Sequence, residues 1–454
     1  METNDEVWVP SGNSNASGAF DLREYAMEAK NAKSISSYEQ LKREKLPEFL
    51  QWLSGLRERL RVFKTEGRKV FIVLGTGGTF QSAPGPDGYE PTGRLKESFD
   101  ALQLPSDKTI HLELCDLMNL DSSQLTVEQW RFLAEAIVQI EDAAGDSYDG
   151  IIVTHGTDTM AKGASYISFM LRGFPKSIVF TGSQIPARQP DGDAKDQMRR
   201  AIVTSKLAAN VNNRVIEVMV ACGLKVARAT WAAKLGDVTT NAFGPWNQPH
   251  QEFDATDWAK AAANGTLDRL APAFLDFGTG KSDGDHEFAS HARDLRKKDA
   301  YRPFTNITRP ADLYPTRLTD KSLESFADHL IAQRVALLTQ LGSATADDAL
   351  VELALAAGNN GKIVMFEAPF PDSSVEPGRY KAGSAVRKIL PFVRRPLPIL
   401  NTSPDAFEAK VNYVQSELGM QPVANTVGLG DIYSAGDLRK FYDHMETNMV
   451  GELV

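Results

Sequence analysis

Hydroxyl side chains lie beside glycines directly after three short apolar runs of the sequence. The runs lead into residues 75–79, 154–159 and 181–184, whose sequences are GTGGT, THGTDT and TGSQ. If the runs are parallel strands, their carboxyl ends meet at one edge of a sheet, where α/β proteins form their binding sites. The pattern therefore predicts a pocket lined by hydroxyls and backbone N–H groups.

The threonines of this predicted pocket are suited to nucleophilic catalysis. A threonine hydroxyl becomes reactive when a neighbouring base or an electrostatic field helps to remove its proton. Thr157 is followed by Asp158, a carboxylate that is able to orient a lysine. Backbone N–H groups near Gly77, Gly78 and Gly156 are available to stabilise a developing oxyanion.

Nucleotide binding is the competing interpretation of glycines that follow a strand. A dinucleotide-binding loop has glycine at three positions, and here Phe80 occupies the third position after Gly75 and Gly77. The same stretch lacks the Gly-Lys-Ser/Thr sequence that a phosphate-binding loop requires. The residues therefore favour catalysis over phosphate binding.

The composition indicates an ordinary globular protein without a nucleic-acid or membrane partner. The formal charge is −9 and 42% of the residues are apolar, so a basic surface for nucleic acid is not expected. No apolar run approaches the ~20 residues that span a bilayer, and the acidic N-terminus does not resemble a secretory signal. We therefore predict a cytoplasmic protein.

Metal and disulfide chemistry are not expected from the residue types. The seven histidines are scattered, without a His-x₃-His pair beside carboxylates, so we predict no metal site and no cofactor. Cys115 and Cys222 are the only cysteines, which is too few for a disulfide framework.

The elements that must position the pocket follow an alternating strand–helix pattern. Apolar runs predict strands at 70–74, 150–154, 177–182 and 215–222, with helices between them that include 127–140 and 159–172. A second set of alternating elements follows in the C-terminal part of the chain. Its predicted strands are at 334–342, 361–369 and 397–403, and its predicted helices are near 346–357 and 381–393. Such alternation is typical of parallel sheets covered on both faces. The predicted fold class is α/β, with a large N-terminal, mostly parallel αβα domain and a smaller C-terminal α/β domain.

An additional helical arm precedes the first of these domains. Its apolar residues recur at helical spacing and must cover either their own domain or a partner subunit; they are Leu46, Phe49, Leu50, Leu53, Leu56, Leu60 and Phe63. The predicted organisation is a disordered tail at 1–20, the arm at 21–66, the catalytic α/β domain at 67–245, an inter-domain or inserted region at 246–325 and the C-terminal α/β domain at 326–454.

Two of the hydroxyl motifs resemble the signature motifs of the asparaginase family, the bacterial-type amidohydrolases that use threonine. They are TGGT at 76–79 and HGTDTM at 155–160, in this order and each at the end of a predicted strand. The similarity extends to GYEPTG at 88–93, DSSQLT at 121–126, TGSQIP at 181–186, RATWAAK at 228–234 and AKVN at 409–412. These motifs resemble those of the cytoplasmic type I branch of the family more closely than those of the secreted type II branch.

The resemblance implies a role for each matching residue. Thr79 matches the primary nucleophile, and Tyr89 matches the tyrosine of a mobile loop that helps to deprotonate it. Thr157 and Asp158 match a second threonine and its aspartate, and Lys234 matches the lysine that pairs with that aspartate. The implied reaction is hydrolysis of L-asparagine to L-aspartate and ammonia through an ester on threonine, with L-glutamine as the alternative substrate.

The same resemblance implies which residues hold the substrate. Ser122 and Ser123, beside Asp121, match the loop that binds the α-amino and α-carboxylate groups, and the backbone of Gly78 and Gly156 completes the predicted binding set. The family also implies that the C-terminal domain of a neighbouring subunit helps to close the site. We therefore predict a homodimer or a homotetramer.

Several residues depart from the family pattern. Phe80 stands where the family usually has a smaller aliphatic residue, Trp231 replaces a commonly polar residue, and residues 191–198 are stretched relative to a similar family segment. We expect these departures to affect substrate preference more than reaction type. His155 is interpreted as a structural residue rather than as a general base.

Two alternatives to an asparaginase stay open on the sequence alone. One is a glutamine-hydrolysing protein that supplies ammonia to a tRNA-dependent amidotransferase, although the short helical arm offers little surface for docking a partner. The other is a catalytically inactive amino-acid-binding sensor, an interpretation for which Phe80 and Trp231 leave room.

Overall fold

The structure is a computed structural model. It describes residues 38–85, 88–90, 93–209, 216–223, 225–237, 239–245, 301–307, 316–317, 323–339, 348–367, 403–424 and 428–445, together with residues 447 and 449. Several predicted features lie outside the described residues: the tail at 1–20, the first part of the arm at 21–37, residues 246–300 and 308–315 of the inserted region, the helix at 381–393 and the strand at 397–403 up to residue 402.

The described elements include the predicted alternation of strands and helices, together with short strands that were not predicted. The strands are β1 (Lys69–Gly77), β2 (Ala83–Gly85), β3 (Gly88–Glu90), β4 (Ile110–Leu120), β5 (Gly150–Thr154), β6 (Ser177–Thr181), β7 (Val218–Cys222), β8 (Lys225–Arg228), β9 (Ala232–Lys234), β10 (Phe243–Pro245), β11 (Thr316–Arg317), β12 (Val335–Thr339) and β13 (Ile363–Glu367). The helices are α1 (Tyr38–Leu53), α2 (Leu56–Thr65), α3 (Leu95–Leu102), α4 (Val127–Ala144), α5 (Met160–Met170), α6 (Ala194–Ala208), α7 (Leu323–Ala332), α8 (Asp348–Asn359), α9 (Pro404–Glu417) and α10 (Ala435–Met445).

A six-stranded sheet in the order β4-β1-β5-β6-β7-β8 forms the centre of the N-terminal part of the fold. Its neighbouring strands are parallel except for β8, which runs antiparallel to β7. The register pairs Gly75 with Thr154 and Thr154 with Thr181, so the three predicted strand exits lie side by side. The mostly parallel sheet with its covering helices confirms the predicted α/β fold class.

Side chains of β1 alternate between two cores on opposite faces of this sheet. Ile72 and Leu74 belong to a core that includes residues of α4 and α5, whereas Phe71 and Val73 belong to a core that includes residues of α3 and α6. All four side chains are fully buried. The strand is therefore packed on both faces up to the point where the glycine-rich turn begins.

Strand β4 is an element that the sequence patterns did not predict. Polar residues alternate with apolar ones at its start, at His111 and Glu113, and Asp116 interrupts the apolar residues that follow. An unbroken apolar run, the signal that predicted its neighbours, is therefore absent from this edge strand. The strand nevertheless contributes to the site, because it ends at Leu120, immediately before Asp121 and the predicted substrate-binding serines.

The described part of the helical arm packs on its own chain. Phe49, Leu56 and Leu60 are buried in the core that α4 and α5 share. The indole nitrogen of Trp52 donates a hydrogen bond to the Leu114 carbonyl oxygen of β4 at 3.0 Å. Of the two options that the sequence left open for the apolar stripe, the structure favours its own domain, since the arm covers the edge of the sheet.

A second, parallel sheet in the order β11-β12-β13 lies in the C-terminal part of the chain. Helix α9, also in the C-terminal part of the chain, packs against α5 of the N-terminal part. Two polar contacts join the facing sides of these helices, which are otherwise buried. Glu408 accepts a hydrogen bond from Lys162 at 2.9 Å, and the amide of Asn412 donates to the Tyr166 hydroxyl at 2.8 Å. The predicted domain boundaries stay predictions.

Candidate active site

Most of the predicted site residues lie on three turns that pack closely against one another at two glycines. A Cβ atom on Gly78 would come within 2.3 Å of the Gly156 Cα, and a Cβ atom on Gly156 would come within 2.2 Å of the Ser122 Oγ. Gly78 also has a φ of 68°, a left-handed conformation that side chains with a Cβ rarely adopt. The absence of side chains at these two glycines therefore allows the TGGT, DSS and HGTD motifs to meet.

Hydrogen bonds of Thr76 and Gln81 stabilise the first turn, and Thr79 takes no part in them through its hydroxyl. Thr76 donates its hydroxyl to the Thr154 carbonyl oxygen at 2.9 Å, which agrees with a purely architectural role. The buried Gln81 side chain accepts from the Gly77 N–H at 3.1 Å and donates to Asp116 at 3.0 Å. Thr79 is half-buried at the start of the one-turn helix Thr79–Gln81, and its hydroxyl has no hydrogen-bond partner among the described residues.

The second turn places Thr157 and Asp158 in different environments. The Thr157 hydroxyl is buried and donates to the side-chain carbonyl oxygen of Gln184 at 3.4 Å. The Asp158 side chain is exposed and accepts from the Lys234 ammonium at 2.7 Å. The structure therefore brings Asp158 and Lys234 together, whereas the Thr157 hydroxyl contacts Gln184.

Lys234 is shared between two carboxylates. It lies 2.7 Å from Asp158 and 2.5 Å from Asp237, a residue that the sequence analysis did not single out. Burial alone would lower the pKa of Lys234, but the hydrogen bonds that its ammonium donates to Asp158 and Asp237 outweigh this effect and raise the pKa above its ordinary value. Lys234 is therefore a fixed cation in this arrangement, and not a neutral amine that accepts a proton.

Tyr89 lies on a short antiparallel hairpin formed by β2 and β3. Its side chain is 54% exposed, and its hydroxyl accepts a hydrogen bond from the Gln189 amide at 2.7 Å. Just beyond the hairpin, the Gly93 N–H donates to the Gln81 carbonyl oxygen at 2.9 Å. The hairpin is thereby connected at its base to the turn that carries Thr79.

The predicted substrate-binding residues lie on the one-turn helix Ser122–Gln124. Asp121 accepts the Ser123 N–H at 2.9 Å and thus caps the start of this turn. Ser122 is buried against Gly156, and its carbonyl oxygen accepts from the Thr159 hydroxyl at 2.8 Å. Ser123 is exposed, so its side chain is accessible to a ligand.

His155 is a buried neutral residue beneath the second turn. Trp130 donates its indole N–H to Nε2 at 3.2 Å, and Nδ1 lies 2.8 Å from the Gly156 carbonyl oxygen. These partners assign the ring proton to Nδ1, which donates to Gly156. Burial lowers the pKa of His155 to about 4. These contacts agree with the structural role that the sequence favours for this residue.

The two aromatic departures from the family pattern are both buried, but in different surroundings. Phe80 is buried in the core on the α3 and α6 side and contacts Phe99 edge-on, with ring centroids 6.1 Å apart. The one-turn helix thus directs the Phe80 ring into the core, which argues against a direct contact with substrate, and the expected effect of Phe80 on substrate preference stays a prediction. Trp231 is buried beneath the Arg228 guanidinium, 4.5 Å from the ring centroid.

Within the described ranges, no three side chains of the His, Cys, Asp or Glu type are grouped as a metal site. Among the same residues, no helix combines the length and the apolar character needed to cross a membrane.

Comparison with known proteins gives one family. Residues 70–261 match the family model described as asparaginase, N-terminal. The curated L-asparaginase of Thermococcus kodakarensis is 33% identical over 178 residues, which cover 39% of this chain and 51% of the relative. L-asparaginase 1 of Escherichia coli strain K12 is 39% identical over 142 residues, which cover 30% of this chain and 40% of the relative.

A second type of relative and a solved structure complete the comparison. A glutamyl-tRNA(Gln) amidotransferase component of Aeropyrum pernix is 30% identical over 142 residues, covering 30% of this chain and 32% of the relative. The chain thus spans about half or less of the curated relatives that it matches. The solved thermostable L-asparaginase from Thermococcus kodakarensis has a TM-score of 0.59 at 22% identity, covering 85% of this chain and 99% of that chain, which supports the fold.

Proposed function

We propose that this chain, whose residues 70–261 match the asparaginase family model, is an amidohydrolase of that family that converts L-asparagine to L-aspartate and ammonia. The observation that carries the proposal is the contact between Gly78 and Gly156. This contact brings Thr79 close to the Thr157–Asp158–Lys234 group, although the residues are far apart in sequence.

In the proposed first step, the Thr79 oxygen attacks the side-chain amide carbon of asparagine. Its proton is removed with the help of Tyr89 and passes to the leaving amide nitrogen, which departs as ammonia. The product of this step is an aspartyl ester on Thr79. Water then attacks the ester carbon, which releases L-aspartate and returns the proton to the Thr79 oxygen. Every atom comes from the substrate, water or this chain, so the mechanism requires no cofactor.

Thr157, Asp158 and Lys234 form the polar surroundings of this reaction. Lys234 stays protonated because two carboxylates raise its pKa, so we assign it an electrostatic role in stabilising negative charge near the threonines. Asp158 binds Lys234 through one oxygen, and its other oxygen has no partner among the described residues. That second oxygen is suited to the α-ammonium group of the substrate.

The remaining substrate groups are assigned to the other two turns. Ser122 and Ser123 bind the α-carboxylate with their hydroxyls or backbone N–H groups, and Asp121 holds their turn in place through the Ser123 N–H. Backbone N–H groups beside Gly78 and Gly156 stabilise the oxyanion that forms on the amide oxygen. We further propose a cytoplasmic homodimer or homotetramer, as the family resemblance implies.

Ammonia release from purified protein tests this proposal. The wild type should release ammonia from L-asparagine, and Thr79→Ala and Thr157→Ala should each lower kcat by about 10³-fold or more. Thr65→Ala is the matched control, because the Thr65 hydroxyl lies in the arm and donates only to the Val62 carbonyl oxygen. Near-full activity of either site variant would refute the role of that threonine.

The similarity to the amidotransferase component favours one second candidate, a glutamine-dependent ammonia donor. This candidate predicts faster ammonia release from L-glutamine than from L-asparagine, and stimulation by a partner protein with charged tRNA. If the wild type binds L-asparagine in a calorimeter but releases no ammonia from either amide, the inactive sensor is favoured instead.

A further inference from the structure

One surface loop contacts the three segments that carry the proposed catalytic hydroxyls, namely the Thr79 turn, the Thr157 turn and the Tyr89 hairpin. This segment, residues 183–193, follows β6 and is called the 183–193 loop below. Its Gln184 side chain accepts from the Thr157 hydroxyl at 3.4 Å. Its Ala187 N–H donates to the carbonyl oxygen of Phe80, the residue after Thr79, at 3.3 Å. Its Gln189 amide donates to the Tyr89 hydroxyl at 2.7 Å.

The loop has internal contacts that fix its shape at both ends. The Asp193 carboxylate accepts the backbone N–H groups of Gln184 and Ile185, at 3.1 Å and 3.0 Å. The Gln197 amide donates to the other oxygen of Asp193 at 3.2 Å, which anchors the loop to α6. A turn closed by the Gln189 N–H and the Pro186 carbonyl oxygen, at 2.9 Å, then presents the Gln189 side chain.

A salt bridge also connects this part of the loop to a neighbouring helix. Arg188 pairs with Glu97 of α3, the helix that follows the Tyr89 hairpin in sequence. Gln189 is therefore held on a segment with several fixed points, whereas Tyr89 lies on an exposed two-stranded hairpin, an element that is marginally stable in isolation. The geometry favours Gln189 as the side chain that orients Tyr89, and not the reverse.

We propose that Gln189 is a positioning residue that holds the Tyr89 hydroxyl, and that the 183–193 loop aligns Tyr89 with the Thr79 turn and with Thr157. The inference rests on the proposed function, because it assigns Tyr89 to the deprotonation of Thr79. Gln189 acts through Tyr89 and does not itself contact the reacting atoms. A displaced tyrosine should slow the chemical step more than it weakens substrate binding.

A double-mutant cycle with Gln189→Met and Tyr89→Phe tests the proposal. Methionine keeps the approximate length of glutamine but has no N–H group to donate. In the wild-type background, Gln189→Met should lower kcat by about five- to tenfold and leave KM within about twofold. In the Tyr89→Phe background, which lacks the hydroxyl, the same substitution should have no further effect. Equal losses of kcat in both backgrounds, or no loss in the wild type, would overturn the proposal.

Hydrogen exchange of the hairpin provides a readout that does not depend on activity. Gln189→Met should speed exchange of the β2 and β3 amides, whereas Gln51→Met, on the exposed face of α1, should leave it unchanged. Unchanged hairpin exchange in Gln189→Met would also overturn the proposal. If the wild type releases no ammonia while the hairpin exchange responds as expected, the proposed function fails and the Gln189–Tyr89 contact stands.

Discussion

The backbones of Gly78 and Gly156 are in such close contact that a Cβ atom on Gly78 would lie 2.3 Å from the Gly156 Cα. The contact joins the turns that follow two adjacent parallel strands, β1 and β5. Thr79 and Thr157, which are separated by 77 intervening residues in sequence, each directly follow one of these two glycines. The arrangement has no space for a methyl group at this point.

Gly78→Ala should therefore strongly lower activity and not only stability. The new Cβ must displace the Gly156 backbone and also adopt a φ of 68°, so we expect kcat/KM to fall by about 100-fold or more. Gly67→Ala is the matched control, since Gly67 has a φ of +76° but open space around a Cβ. The control should lose about 1 kcal/mol of stability in urea unfolding and keep its kinetic constants. Similar kinetics for both variants would contradict the close-packing interpretation.

Asp237→Asn should narrow the pH range of activity on its alkaline side. A carboxylate beside Lys234 raises the pKa of the lysine, so the lysine keeps its positive charge as the pH rises through 10.5, the ordinary pKa of a lysine side chain. Without Asp237 the pKa of Lys234 falls, and the cation is lost at a lower pH. The expected result is an alkaline limb of kcat/KM that moves to lower pH in this variant. Asp196→Asn, at an exposed site on α6, should leave the profile in place, and a common shift in both variants would refute the specific role of Asp237.

His155 should make the protein less stable as the pH falls from 6.5 to about 4. The unfolded chain binds a proton at His155 near its ordinary pKa of 6.5, whereas the folded protein resists protonation until about pH 4. The free energy of unfolding is therefore not reduced by His155 above pH 6.5. Below this pH it declines as the unfolded chain takes up the proton, by up to about 3 kcal/mol. His155→Gln should flatten the fall of the unfolding free energy across this range. His444→Gln in α10 should retain the wild-type slope; a wild-type slope in His155→Gln would contradict the assignment.

Phe80→Leu should affect stability without changing substrate preference. The ring packs against Phe99 in the core on the α3 and α6 side, so the smaller side chain should cost about 1 kcal/mol in the free energy of unfolding. The ratio of kcat/KM for L-asparagine to that for L-glutamine should stay within about twofold of the wild type, because the Phe80 ring is buried in the core. A large change in this ratio with unaltered stability would place Phe80 in the site after all.

Local sequence patterns predicted the elements with buried, unbroken apolar runs. Strand β5 has the predicted limits, and β1 and β6 contain nearly the same residues as their predicted runs. Strand β4 was missed because polar residues interrupt its apolar positions at the sheet edge. Hydrophobic periodicity reports how a segment is buried, so it identifies central strands more readily than edge strands.

The sequence by itself determined which chemistry we propose for the site, because the glycine and hydroxyl motifs, their order and the family resemblance can be read from residues that are adjacent in the chain. Only the tertiary structure decided which way Phe80 points, that Asp237 shares Lys234, and that Gln189 reaches Tyr89. Each of these depends on the dihedral angles of a turn or on contact between distant segments. Such contacts leave no periodic pattern in a single sequence, since a one-residue change in turn geometry redirects a side chain from the pocket to the core.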